Sequence, residues 1–134
     1  MSIQALLKQQ PLNQRLDLVK LARKGILRKY LKDIQDFTSF SDKEIVEILP
    51  ISQRQLIRYK ADHILNKEIT THLIQIIELF QKGYAIFGTT KFKIWIRTEN
   101  KTLSNHKPID LMDTSLGIEM IEDILGRIEY GVYS

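Results

Sequence analysis

Residues 41–60, SDKEIVEILPISQRQLIRYK, constrain the fold of this 134-residue chain more than any other stretch. Ser41 with Glu44, and Ser52 with Gln55, both have the S-x-x-E/Q spacing of a capping box. In that device the serine hydroxyl and the third residue's side chain satisfy backbone N–H groups at a helix start. Two helix starts eleven residues apart leave room for a two-turn helix, a tight turn and a second helix, the layout of a helix-turn-helix. The apolar residues fall where such a unit must pack: Ile45 and Leu49 inward from the first helix, Ile51 in the turn, Leu56 and Tyr59 inward from the second. What remains around the second helix is polar: Ser52, Gln53, Arg54, Gln55, Arg58 and Lys60. In this motif the first turn of the second helix meets base edges, where glutamine can bond adenine and arginine can bond guanine through two hydrogen bonds. Ser52 and the free N–H groups beside it suit a phosphate. These six residues are the candidate DNA contacts, and the competing reading is a helical hairpin with a solvated basic face. Pro50 stands where the turn usually has glycine, and Val46 where the first helix usually has alanine, so the pattern predicts an altered turn.

The remainder reads as helix almost throughout. Leu12, Leu16, Val19 and Ala22 share a face that ends at Gly25, a C-terminal cap. Ile26, Leu27, Tyr30, Leu31 and Ile34 share the next face. Across 67–88, Ile69, Leu73, Ile76, Ile77, Phe80, Tyr84 and Phe87 keep helical spacing for five turns, closed by Gly88. Gly83 inside that run costs about 1 kcal/mol relative to alanine, which marks a close helix contact. TKFKIWIR predicts a short helix carrying Phe92, Trp95 and Ile96, although its alternation also fits a strand. TENKTLSNHK is a loop, Pro108 suits the first turn of a small helix, and Thr114 can cap a final one. That last helix has Leu116, Met120 (or Ile121), Ile124, Leu125 and Ile128 as its expected apolar face. The expected fold is all-α: an N-terminal helical domain over 1–87 containing the helix-turn-helix, then a small helical domain over 88–134.

Charge divides the chain as well. Residues 1–67 carry 13 Lys and Arg against 7 Asp and Glu, whereas residues 68–134 carry 7 against 9. From Pro108 onward there are six acids and one base, Arg127. A basic first half implies a polyanion partner, and an acidic end implies a different, basic one. The absence of cysteine excludes disulfides, thiolate-bound zinc and thiol catalysis, and it fits a reducing cytoplasm. The N-terminal apolar run has no basic leader, which argues against a signal peptide, and no run of 18 apolar residues is present to span a membrane.

Enzyme chemistry has little support. His63, His72 and His106 have no metal-site spacing and no His-Glu-x-x-His occurs. His63 reads as a surface residue beside Asp62, His72 as partly exposed, and His106 as a loop residue. The expected protein is not an enzyme, uses no cofactor and takes no small-molecule substrate. The run Lys20, Arg23, Lys24, Arg28, Lys29 and Lys32 reads as a solvated face or as a DNA-backbone contact.

One set of residues carries a resemblance. In order it is Phe87, Gly88, Trp95, Asn100, Pro108, Asp110, Leu111, Met112, Gly117, Leu125, Arg127, Ile128 and Gly131. Within IFGTTKFKIWIRTENKTL, KPIDLMDTSLG and ILGRIEYGV, these resemble the toxin-binding domain of the Xre/MbcA/ParS antitoxins. Ile51, Ser52 and Arg54 are similar to the Ile-Ser-x-Arg of that family's Xre-type helix-turn-helix. The resemblance implies an antitoxin of a type II toxin–antitoxin pair, commonly dimeric, with two partners. One is a cognate NAD-consuming RES-domain or ADP-ribosylating toxin, whose active-site cleft the C-terminal domain covers. The other is operator DNA, bound to repress the shared promoter. A cleft that holds a pyrophosphate is electropositive, so acids of the last helix, Glu119, Glu122, Asp123 and Glu129, would be steered to it. Tyr130 and Tyr133 are aromatic anchors of the kind enriched at interfaces, and the Ser134 carboxylate could reach an arginine. The expected toxin contacts are therefore Glu122, Arg127, Glu129, Tyr130, Gly131, Tyr133 and Ser134. The alternatives are a stand-alone helix-turn-helix regulator and an interaction module that has lost DNA binding.

Overall fold

The computed structural model describes residues 12–131, with side chains from residue 15. Its elements, in order, are α1 (Leu12–Lys24), a 3₁₀ turn (Arg28–Tyr30), α2 (Leu31–Thr38), α3 (Asp42–Ile48), α4 (Gln53–Arg58), α5 (Lys67–Phe87), α6 (Thr89–Trp95), 3₁₀ turns at Lys101–Leu103 and Pro108–Leu111, and α7 (Ser115–Glu129). The class is all-α, as expected. Among the described residues β pairing amounts to two isolated antiparallel bridges, Leu27 with Ile64 and Asn100 with His106. TKFKIWIR is helical as far as Trp95 and is not a strand. The chain divides into two units between Ile77 and Glu78, inside α5.

In the first unit the capping signals govern local structure. Ser41 Oγ accepts the Glu44 N–H at 3.1 Å and Glu44 Oε1 accepts the Ser41 N–H at 2.9 Å, which completes the box at the start of α3. Ile45, Ile48, Leu49 and Leu56 are buried with Leu31, Ile34 and Phe40. Thr38 and Thr70 are buried polar residues with their hydroxyls satisfied. Thr38 Oγ1 donates to the Ile34 carbonyl at 2.8 Å and accepts from the Phe40 N–H. Thr70 Oγ1 accepts from the Ile26 N–H and donates to the Leu65 carbonyl, both at 3.2 Å.

Three expectations about this unit need correction. Leu16 and Val19 are exposed and Leu18 is buried, so α1 turns a different face inward. Tyr30 is exposed as well, because residues 28–30 form a 3₁₀ turn ahead of α2 and the chain before it runs as a bridge to Ile64. His72 is buried on α5, one turn from Ile69 and Ile76, not partly exposed. Leu12 lies on α1, but its side chain is outside the described set.

The second unit is organised around one ring. Phe92 is fully buried and meets Phe80, Tyr84, Phe87 and Trp95 at centroid separations of 5.2, 5.7, 6.2 and 5.8 Å. The first two are edge-on and the last two stacked, the offset arrangements aromatic quadrupoles prefer. Gly83 makes this possible, because a Cβ at that position would fall on the Phe92 ring. This is the close contact its place in the helix predicted. Burial pushes the Tyr84 phenol up to about 12, with Arg97 opposing the shift. Gly88, at φ +85°, ends α5 and caps α6 in a backbone conformation that L side chains rarely adopt.

Candidate functional surfaces

The first candidate surface is the exposed side of α4. Ser52 caps the helix, its Oγ accepting the Gln55 N–H at 3.1 Å. Ser52, Gln53, Arg54, Gln55, Arg58 and Lys60 are all exposed, as the DNA reading requires, and Leu56 anchors the helix from the other side. The turn before it needs no left-handed residue. Leu49 is extended at φ −81°, ψ 145°, the conformation favoured before proline, and the Ile51 N–H donates to the Leu49 carbonyl at 2.8 Å. A three-residue turn centred on Pro50 results, and in its inverse form the central φ suits a proline ring. Pro50 fits this turn.

α4 is held from behind. Arg28 Nε donates to the Leu56 carbonyl at 3.3 Å, near the helix C-terminus where a cation is favourable. The Arg28 and Lys29 N–H groups donate to the His63 and Ala61 carbonyls at 2.8 and 3.0 Å. Arg28 thus serves as a brace for α4. Tyr59 stacks on His63 with ring centroids 3.7 Å apart. Ile57, which the patterning left unassigned, is 68% exposed in the midst of this polar surface.

The second candidate surface is the outer face of α7. Thr114 Oγ1 accepts the Gly117 N–H at 3.0 Å, the expected cap. The buried face is Gly117, Ile118, Ile121, Ile124 and Leu125, which includes Ile121, Ile124 and Leu125 of the expected face but not Leu116. Leu116 is 71% exposed, a correction to the expected core, and of the pair Met120 or Ile121 it is Ile121 that is buried, with Met120 49% exposed. Gly117 sets this rotation: a Cβ there would overlap the Leu111 carbonyl, so only glycine lets α7 lie this close to the Pro108–Leu111 turn. Spaced three and four apart, Leu116, Glu119, Met120, Asp123, Arg127 and Tyr130 form one exposed stripe. Leu116 and Met120 are candidate site residues that the patterning set on, or as an alternative on, the inward face. The signal that could have found them is Gly117, which shares its face with Ile121, Ile124 and Leu125.

Of the expected toxin contacts, Arg127 and Tyr130 lie on this stripe, and Tyr130 is 78% exposed. Glu129 and Gly131 are exposed beside it, while Tyr133 and Ser134 lie outside the described residues. Glu122 stands apart from the stripe, half-buried. Desolvation raises its carboxyl above the ordinary range, Lys82 opposes the shift, and Glu78, Glu119 and Asp123 add to it. The other residues that carry the resemblance are largely scaffold. Met112 and Leu125 are buried, Pro108 opens its 3₁₀ turn, and Asn100 Oδ1 accepts the Thr102 N–H at 2.9 Å. The Asn100 N–H donates to the His106 carbonyl, which ties the loop shut.

Among the described residues, no group of three or more His, Asp and Glu side chains is placed to hold a metal ion, and no helix is long and apolar enough to cross a membrane. Residues 82–131 match the model of the antitoxin Xre/MbcA/ParS C-terminal toxin-binding domain. That segment holds the aromatic cluster apart from Phe80, the Asn100 loop and all of α7. The chain is also similar to the antitoxin Xre of Yersinia enterocolitica, 27% identical over 120 residues that span 87% of this chain and 81% of that protein. The matched domain and the relative together support an Xre-type antitoxin.

Proposed function

We propose that this protein neutralises a toxin through the α7 stripe and represses its own promoter through α4, acting as a cytoplasmic homodimer. The observation that carries the first half is the exposed stripe itself. Leu116, Met120 and Tyr130 are large apolar or aromatic groups left in water on the helix of a domain that matches a toxin-binding family. Glu119 and Asp123 between them favour a basic partner, as the cleft of an NAD-consuming or ADP-ribosylating toxin would be. Such a surface acts by occupying the cleft, so the antitoxin itself needs no catalytic group.

The test is genetic and then biochemical. The neighbouring reading frame is expressed alone and together with this protein, and rescue of growth is the expected result. Toxicity that this protein leaves unrelieved overturns the reading. In the same assay L116A/M120A should weaken neutralisation at least about thirtyfold, the loss expected when central apolar anchors are removed. Truncation after Glu129, which removes residues 130–134 and with them Tyr130, Gly131, Tyr133 and Ser134, should weaken it further. Wild-type potency in both variants would place the toxin contact elsewhere. The promoter half is checked by gel shift on upstream DNA across a salt series, where loss of affinity with salt reports phosphate contacts.

A further inference from the structure

We infer that Ile57 reads the 5-methyl group of a thymine in the major groove. The inference rests on the proposal that α4 binds DNA and adds a base preference at a position that the polar residues cannot supply. Ile57 lies one helical turn beyond Gln53 and three residues beyond Arg54, so the three share a side of α4. Leu56, its neighbour, is buried at 5% exposure, while Ile57 is 68% exposed. The other exposed residues of α4 are Gln53, Arg54, Gln55 and Arg58.

That setting selects the partner. An apolar protein surface would call for further exposed apolar residues on the helix, and those that α4 exposes beside Ile57 are polar or cationic. The cations fit a polyanion. On a DNA duplex the one apolar feature of the major groove is the thymine methyl, and aliphatic side chains contact it. Gln53 and Ile57 are about 6 Å apart along the helix axis, the rise of about two base-pair steps. A glutamine reading adenine and an isoleucine reading thymine one or two steps away therefore form one continuous readout.

The experiment isolates the methyl group. Duplexes that bind the full-length protein are selected from a random library. Each thymine of the selected site is then replaced in turn by deoxyuridine, which removes only the methyl. For the wild type, one or two thymines in each half-site should show a three- to tenfold loss of affinity, on the scale of one buried methyl. In Ile57→Ala the ratio of thymine to deoxyuridine affinity at those positions should fall to one. Because the readout is a ratio, a general loss of affinity in the variant cancels. A scan that is flat in the wild type, or a methyl effect that survives in Ile57→Ala, overturns the inference while leaving DNA binding intact. A flat scan accompanied by a changed sedimentation coefficient for Ile57→Ala assigns the residue to a protein interface and overturns it equally. If no sequence is enriched and binding is absent at low salt, the DNA reading itself falls, and the inference with it.

Discussion

α4 and α7 each present a face to solvent, and they are held in place by different physics. α4 is six residues long, too short to be stable alone, and depends on hydrogen bonds at its ends: Ser52 at the start, Arg28 on the Leu56 carbonyl near the end. α7 is 15 residues long and depends on packing: five buried positions, a glycine against the Leu111 carbonyl, and a domain built around the Phe92 ring cluster. The exposed faces differ in kind too, basic and polar on α4, acidic and apolar on α7. A short capped helix can present side chains to a rigid groove with little apolar area of its own. A long packed helix can leave leucine and methionine in water because its other side already anchors it.

The largest test of this contrast is Phe92→Ala. It removes the shared neighbour of four other rings and should cost about 3–5 kcal/mol. The single tryptophan, Trp95, lies in the same cluster, so its fluorescence during denaturant unfolding reports the loss directly. Next comes Gly117→Ala, which forces a methyl onto the Leu111 carbonyl and should cost about 1–3 kcal/mol as α7 shifts outward. Ser41→Ala and Ser52→Ala each remove a cap and should cost about 1 kcal/mol in circular-dichroism melts. Were either serine variant as damaging as Phe92→Ala, the division between a capped and a packed helix would be wrong.

The smallest expected effect concerns Glu122. Its carboxyl is raised by desolvation, so the folded protein binds that proton more tightly than the unfolded chain. The charged form therefore costs stability above the raised value, and the cost fades as pH falls toward the ordinary carboxylate range. Glu122→Gln should melt higher than wild type at neutral pH, by less than about 1 kcal/mol because solvent screens a half-exposed group. The difference should close as the buffer is made acidic. A gap that widens in acid would show that the Lys82 attraction dominates instead.

Sequence and structure agree best where the governing interaction is local. The Ser41–Glu44 box, the Ser52 and Thr114 caps, the Gly88 stop and the extended Pro50 turn each involve residues within four positions of one another. They can be read from spacing alone. Gly83 was legible for a related reason: a glycine within a strongly periodic helix needs a neighbour that explains it, and Phe92 is that neighbour. The inward face of α1 was not legible and that of α7 was legible only in part, with Ile124 and Leu125 expected and buried, because both helices carry apolar residues on more than one side. α7 has Leu116 and Met120 on one stripe and Ile118, Ile121 and Leu125 on another, and periodicity does not say which meets the rest of the unit. That choice is made by the Leu111 carbonyl, a tertiary contact. The candidate sites follow the same rule. The α4 candidates are exposed on a helix fixed by its own caps, whereas the exposure of Leu116 and Met120 depends on which face of α7 the tertiary contact selects.

Pro50 has an effect that lies outside the folded molecule. Its ring holds φ near one value in every conformation the chain visits, and the extended Leu49 before it is restricted by the same ring. The denatured ensemble therefore has fewer arrangements of the α3–α4 join to give up on folding than it would with glycine there, an advantage of about 0.4–1 kcal/mol where the native geometry accepts proline. A join that begins nearly fixed in the unfolded chain favours two short helices that are closed together or not at all.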